Sequence, residues 1–258
     1  MSETTANSIS LPPQLSLQGR RVLVTGAANG IGRATALCLG TLGADLVLAD
    51  IAPLDEICRD LKAVGASATR VQGDLLNADY CRDLINRGPY FAFANVAGVF
   101  QGLPDQTPDE AFDFVMHVNV RAPVVLASGI IEQMAEAGEG YVVIVGSAAG
   151  RNGGASNEAS LSYAAYAASK GGAHTLVRWL SRRAVGRGVL VNGVAPGVVR
   201  TPLFERVSQT INFDEAALPI GRLADPSELG WPIAMMCTPM ASYISGAVLD
   251  VNGGTFVG

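Results

Sequence analysis

The sequence predicts an α/β fold in a single domain, a doubly wound parallel sheet flanked by helices. Short apolar runs such as RVLVTG and ADLVLAD alternate along the chain with segments at helical spacing. The runs are apolar throughout rather than at every second residue, which is the pattern of strands covered on both faces. No internal repeat, low-complexity tract or long linker divides the 258 residues, so one α/β domain over 1–258 is the expected count.

Each element follows from its local pattern. RVLVTG is the first strand, and the turn after it opens a helix, IGRATALCLGTLG, that ends on glycine. ADLVLAD is the second strand, and LDEICRDLKAVG is an amphipathic helix with Leu54, Ile57, Cys58 and Leu61 on one face. ATRVQGDL and FAFANVAG are the third and fourth strands, with a short helix over 77–87 between them. DEAFDFVMHVNVRAPVVLASGIIEQMAEAG has the length and apolar face of one long helix, and GYVVIVGSAAG is the fifth strand. A helix over 161–185, the strand GVLVNGVAPG, the helix PSELGWPIAMMCT and the strand AVLDVNGG complete the alternation. Two stretches stand outside it: a polar leader over 1–18, and 201–222, whose weak periodicity predicts a lid or substrate loop.

Composition narrows the function. Nearly half of the residues are apolar and 16% are charged, so the chain has the means to bury a core. The net charge of −5 comes with no basic stripe, which argues against a nucleic-acid partner. No apolar run reaches the roughly 18 to 20 residues expected of a membrane span, and the start lacks a basic region followed by an apolar one, so no membrane association and a cytoplasmic location are expected. Cys38, Cys58, Cys81 and Cys237 are scattered without a CxxC, and with only His117 and His174 no metal site is expected.

The first strand runs into TGAANGIG, with Gly26, Asn29, Gly30, Ile31 and Gly32 forming the turn and the helix start. Glycines there let the backbone approach a pyrophosphate, whose charge the helix N-terminal N–H groups favour; a tight strand-to-helix turn with no ligand is the plainer alternative. Asp50 closes the second strand, where a carboxylate can accept hydrogen bonds from ribose hydroxyls and would repel a 2′-phosphate. NAD is therefore the expected cofactor. No basic residue stands at 29 or 51, Arg33 lies within the helix start, and the alternative for Asp50 is a cap on the next turn.

These pieces, with DL at 74–75, NVAG at 95–98, Asn119 in HVNV, GSAAG at 146–150, YAASK at 166–170 and PGVVRT at 196–201, resemble the short-chain dehydrogenases/reductases over essentially the whole chain. The resemblance implies a Rossmann-like sheet, NAD along its C-terminal edge, and hydride transfer between nicotinamide and a secondary alcohol or ketone. It also implies that Asp74 and Leu75 contact the adenine, that Asn95 lies near the adenosine ribose, and that Val199 and Thr201 hold the nicotinamide carboxamide. By the same resemblance the long helices carrying Asn119 and Tyr166 form a dimer interface, and a homo-oligomer, tetramer or dimer, is expected. Departures are Val96 in place of a second asparagine, a shortened segment between Asp74 and Asn95, and extra residues, RNGGASNEASLS, before the YxxxK tyrosine.

Oxidising an alcohol requires a base at its hydroxyl, and a free tyrosine, with a pKa of about 10, is a poor one. A nearby ammonium favours the phenolate, and residues four apart share a helix face. Tyr166 and Lys170 meet that condition, whereas Tyr163 is two turns from Lys170, about 10 Å along the axis, and reads as a pocket wall. Ser147 can donate a hydrogen bond to the substrate oxygen, with a loop cap as the alternative, and Asn119 can hold a water linking Lys170 to solvent, as the family resemblance implies. The substrate expected is a small-molecule sugar, polyol or cyclic alcohol. Arg151, Asn152, Asn157 and Glu158 favour hydroxyls or an anion, while Phe100, Leu103, Leu203 and Phe204 favour an apolar ring. The runner-up activity is an NADPH-dependent 3-oxoacyl carrier-protein reductase, which Asp50 argues against; a non-catalytic nucleotide sensor and a methyltransferase leave the complete Asn119, Ser147, Tyr166 and Lys170 set unexplained.

Overall fold

A computed structural model describes residues 12–154, 161–209 and 213–258. Seven parallel strands form one sheet: β1 (Arg21–Thr25), β2 (Asp45–Asp50), β3 (Ala68–Gln72), β4 (Ala92–Asn95), β5 (Gly140–Val145), β6 (Val189–Pro196) and β7 (Val248–Val251), in the order β3-β2-β1-β4-β5-β6-β7. The helices are α1 (Gly30–Thr41), α2 (Asp55–Ala63), α3 (Ala78–Asn86), α4 (Pro108–Met116), α5 (Ala122–Ala137), α6 (Ala149–Asn152), α7 (Leu161–Ala184), α8 (Pro202–Ser208) and α9 (Pro226–Met236). Strand order reverses between β1 and β4, and in such sheets the crevice beyond the carboxyl ends of those strands receives the ligand.

The strands form because their residues are apolar on both sides and two layers of helices cover them. On one face, α1 and α9 bury Leu39, Leu229 and Ile233 against Val22, Val24 and Leu48. On the other, Leu126, Ile130 and Met134 of α5 and Val177 and Leu180 of α7 close over Leu23, Phe93 and Val142. Burying side chains of this size contributes about 1.5–3 kcal/mol each, so the two layers together set the sheet's register.

Three expectations are modified. The leader ends earlier than residue 18: Leu17 is fully buried and its N–H bonds to the Leu42 carbonyl. The weakly periodic 201–222 stretch contains α8, started by Thr201, whose hydroxyl accepts from the Phe204 N–H; residues 210–212 of that stretch lie outside the described residues. The long helix Pro108–Ala137 is apolar and long enough to cross a membrane by length and composition, against the expectation of no such run. Half of that window is buried inside the fold, packed on the sheet and α7, the setting of a core helix. It is also not a plain α-helix, because one wider π turn, His117–Arg121, joins α4 to α5 and carries Asn119.

Candidate active site

The turn after β1 is closed down until only glycine fits. Gly26 has φ 70° and a Cβ there would lie 2.8 Å from the Ala97 backbone, while a Cβ on Gly32 would sit 1.9 Å from the Gly26 carbonyl oxygen. A Cβ on Gly30 would meet the Thr201 side chain at 2.9 Å, so the turn, the 95–98 segment and Thr201 converge. Asn29 precedes α1 in extended conformation without capping it through its side chain, which leaves the first-turn N–H groups for an anion; Ile31 packs into the core behind them. A close backbone approach at an uncapped helix start is what the pyrophosphate of a nicotinamide dinucleotide requires, and the residues fit that group. Asn95 is buried and accepts from the Thr25 hydroxyl at 3.2 Å, locking β4 to β1 beneath the cradle.

Beside this turn, both oxygens of Asp50 accept backbone N–H groups, Oδ2 from Ala28 and Oδ1 from Ala52, each at 2.9 Å. The turn-capping alternative is thus true of one oxygen, and the other ties β2 to the glycine turn. A carboxylate offers about four lone-pair sites, so two remain for hydroxyls. Arg33 is paired with Asp60 of α2, and the position after Asp50 is the exposed Ile51, so among the described residues no ion pair engages the carboxylate. The β3 end reaches the same place, since the Gly73 N–H bonds to the Asp50 carbonyl, with Asp74 next in the chain. Leu75 leans partly into the core on one face of the sheet, and Val199 is buried in the core on the other face, so its backbone is the part that can face a ligand.

Four expected residues meet at the carboxyl ends of β4 and β5. Ser147 Oγ accepts the Ala149 N–H at 3.1 Å, the loop cap the sequence also allowed, and the Ser147 side chain beside Tyr166 opposes the upward push that burial gives the phenol. Lys170 is buried one turn along α7, its Nζ 5.8 Å from the Tyr166 ring centre and donating to the Val145 carbonyl at 3.0 Å. Removal from water lowers its pKa to about 8, so the ammonium persists at neutral pH with little to spare. Asn119 spends its amide differently from the expectation: Oδ1 accepts from the Val99 N–H at 2.9 Å, and Nδ2 donates to the Val99 carbonyl and to Ser169 Oγ. The π turn therefore fastens the loop after β4, and a Cβ on Gly98 would sit 3.2 Å from Lys170 Nζ and 3.3 Å from Asn119 Oδ1.

Phe100 stands between the two tyrosines, 4.7 Å from the Tyr166 ring and 5.3 Å edge-on to Tyr163, so the three rings form one cluster. Phe204 packs edge-on with Phe213 where α8 passes over. The Arg151 guanidinium, open to substrate in the sequence, grips both oxygens of Asp250 and the Val248 carbonyl. Asn152 bonds to the Thr255 carbonyl and the Gly154 N–H, while Asn157 and Glu158 lie outside the described residues. Sequence reasoning passed over Ser169 and His174. Both lie on α7, and His174, four residues past Lys170, continues the Tyr166–Lys170 spacing. Among the described residues no cluster of His, Cys, Asp or Glu could hold a metal ion.

Residues 26–255 match the family described as enoyl-(acyl carrier protein) reductase. The chain is 33% identical to a cis-4-hydroxycyclohexanecarboxylate dehydrogenase of Sinomonas cyclohexanicum, over 91% of this chain and 96% of that one. It is 34% identical to a galactitol 2-dehydrogenase (L-tagatose-forming) of Cereibacter sphaeroides, over 92% and 95%. Its fold overlies a 3-oxoacyl (acyl-carrier-protein) reductase of Agrobacterium tumefaciens C58 with NADP bound, at a TM-score of 0.83 and 28% identity, covering 96% of this chain and 98% of that one. With its sheet, glycine turn and YxxxK helix in place, the chain belongs to the short-chain dehydrogenase/reductase family of oxidoreductases.

Proposed function

We propose that the protein is an NAD-dependent dehydrogenase of secondary alcohols whose substrate is a cyclic alcohol or its ketone. The observation that carries the cofactor is Asp50, an acceptor-only group that no ion pair engages among the described residues, Arg33 being held by Asp60. Gly26, Asn29, Gly30, Ile31 and Gly32 would hold the pyrophosphate, Asp50, Asp74, Leu75 and Asn95 the adenosine, and Val199 and Thr201 the carboxamide. A bound nicotinamide supplies the hydride acceptor. Tyr166 takes the hydroxyl proton, Ser147 orients the substrate oxygen, Lys170 favours the phenolate, and Asn119 holds the loop against which the substrate rests. The ring preference rests on the Phe100 and Tyr163 rings gathered beside Tyr166 and on the diversion of Arg151 to Asp250, which removes the cation a sugar acid would use.

Initial rates with NAD and NADP across cyclic alcohols, polyols and sugars test this. NAD should be preferred at least about tenfold and Asp50→Ala should erase that preference; NADP preference in the wild type would sink the cofactor assignment. The second reading, an NADPH-dependent 3-oxoacyl carrier-protein reductase, draws on the similarity to the Agrobacterium enzyme with NADP bound. Reduction of an acetoacetyl thioester by NADPH faster than any alcohol oxidation would favour it. We also propose a homo-oligomer joined through the long helices, where Trp179, Phe112, Val124 and Val125 are exposed.

A further inference from the structure

The end of β5 is held to α7 by two successive side chains. Lys170 Nζ donates to the Val145 carbonyl at 3.0 Å, and one turn later His174 Nε2 accepts the Ser147 backbone N–H at 3.4 Å. The imidazole lies hard against this strand end: a Cβ on Gly146 would fall 2.1 Å from Nε2 and 2.4 Å from Cδ2, so the glycine is what lets the ring reach the backbone. His174 is 3% exposed, far from any solvent role. Tyr166, Lys170 and His174 thus form one column on a single helix face, and the residue the histidine holds is the serine whose side chain holds the Tyr166 phenol down against burial. We infer that His174 is a positioning residue of the proposed dehydrogenase, fixing the Ser147 backbone so that its hydroxyl stays on the Tyr166 phenol.

The role requires a neutral imidazole with its proton on Nδ1, since an imidazolium has no acceptor. The groups facing it favour that state. Burial and the cations Lys170 and Arg178 on α7 and Arg151 on α6 lower its pKa to about 4, against the opposing pull of Asp250 on β7. Nothing in the working range of a neutral-pH enzyme protonates it.

The inference rests on the reading of Tyr166 and Ser147 above, so its test is one that needs no substrate. Tyrosinate absorbance is titrated in the wild type, His174→Leu, His174→Asn and His174→Gln, each with its own Tyr166→Phe background subtracted. Glutamine places an acceptor near where Nε2 sits, asparagine is too short, and leucine has none. The Tyr166 midpoint should rise by about one pH unit in the Leu and Asn variants as the Ser147 bond is lost, and stay within about 0.3 unit of wild type in Gln. Exchange of the Ser147 amide hydrogen should quicken about tenfold in Leu and Asn and not in Gln. Midpoint and exchange unchanged in the folded Asn variant would overturn the inference, and so would a Gln variant as shifted as Asn; if Leu does not fold, the Asn and Gln pair decides. With cyclohexanol and NAD, kcat should fall about tenfold in Asn with nucleotide KM within about twofold. A wild type that oxidises no ring alcohol would sink the substrate reading and leave the titration to judge His174.

Discussion

At the scale of single residues, Tyr163 and Tyr166 differ by their neighbours rather than by their own chemistry. Both touch Phe100, but Tyr166 has Ser147 opposing the burial push on its phenol and Lys170 one turn away. Burial works against deprotonation, so in the proposed reaction the phenol would need that ammonium and the positive ring of an oxidised nicotinamide to act as a base near neutral pH. Tyr166→Phe keeps the ring against Phe100 and removes the proton acceptor; turnover should fall by at least about a thousandfold, with NADH affinity within about threefold of wild type by fluorescence titration. Tyr163→Phe should leave kcat within about fivefold and act on KM for substrate. The reverse pattern would move the chemistry to the other tyrosine.

At the scale of elements, the strand-to-helix turn is the proposed cofactor cradle, and its glycines leave no room for a side chain. Gly32 lies inside the first turn of α1, and an added Cβ would sit 1.9 Å from the Gly26 carbonyl, a backbone atom that cannot swing aside. Gly32→Ala must therefore push α1 off β1, opening the cradle while the sheet beneath it survives. NADH, which should raise the melting temperature of the wild type by several degrees at saturation, should raise that of Gly32→Ala by about one degree or less, as differential scanning fluorimetry would record. An undiminished shift would remove this turn from the nucleotide site. The joined helix α4–α5 shows a subtler device. Its π turn inserts an extra residue at Asn119, which lets the carboxamide take both the N–H and the carbonyl of Val99, and it leaves the apolar face on either side continuous. That continuity is why the helix was legible in the sequence and its π turn was not.

For the molecule as a whole, most of the architecture was legible because strands buried on both faces must be apolar at every position, and VLV, LVLA and VVIV leave no other reading. What was not legible depended on partners distant in sequence: Arg151 beside the insertion looked free for substrate until Asp250, 99 residues on, claimed it. His174 was similarly silent, since its partner is a backbone N–H on another element. That buried histidine has a global consequence. Its pKa falls from an ordinary 6.5 to about 4, so between those values the unfolded chain binds a proton that the native state refuses. Stability contributed by this site is whole above pH 6.5, declines as pH drops toward 4 and is lost below it, by about 3 kcal/mol at 1.36 kcal/mol per unit. His174→Gln stays neutral and keeps an acceptor, so it removes the proton linkage while sparing the contact. Urea unfolding at pH 6.5 and at pH 4 should show the wild type losing about 3 kcal/mol more than His174→Gln across that interval. An acid limb of equal depth in both would assign the loss to the carboxylate pairs of the surface and would place the imidazole in contact with water.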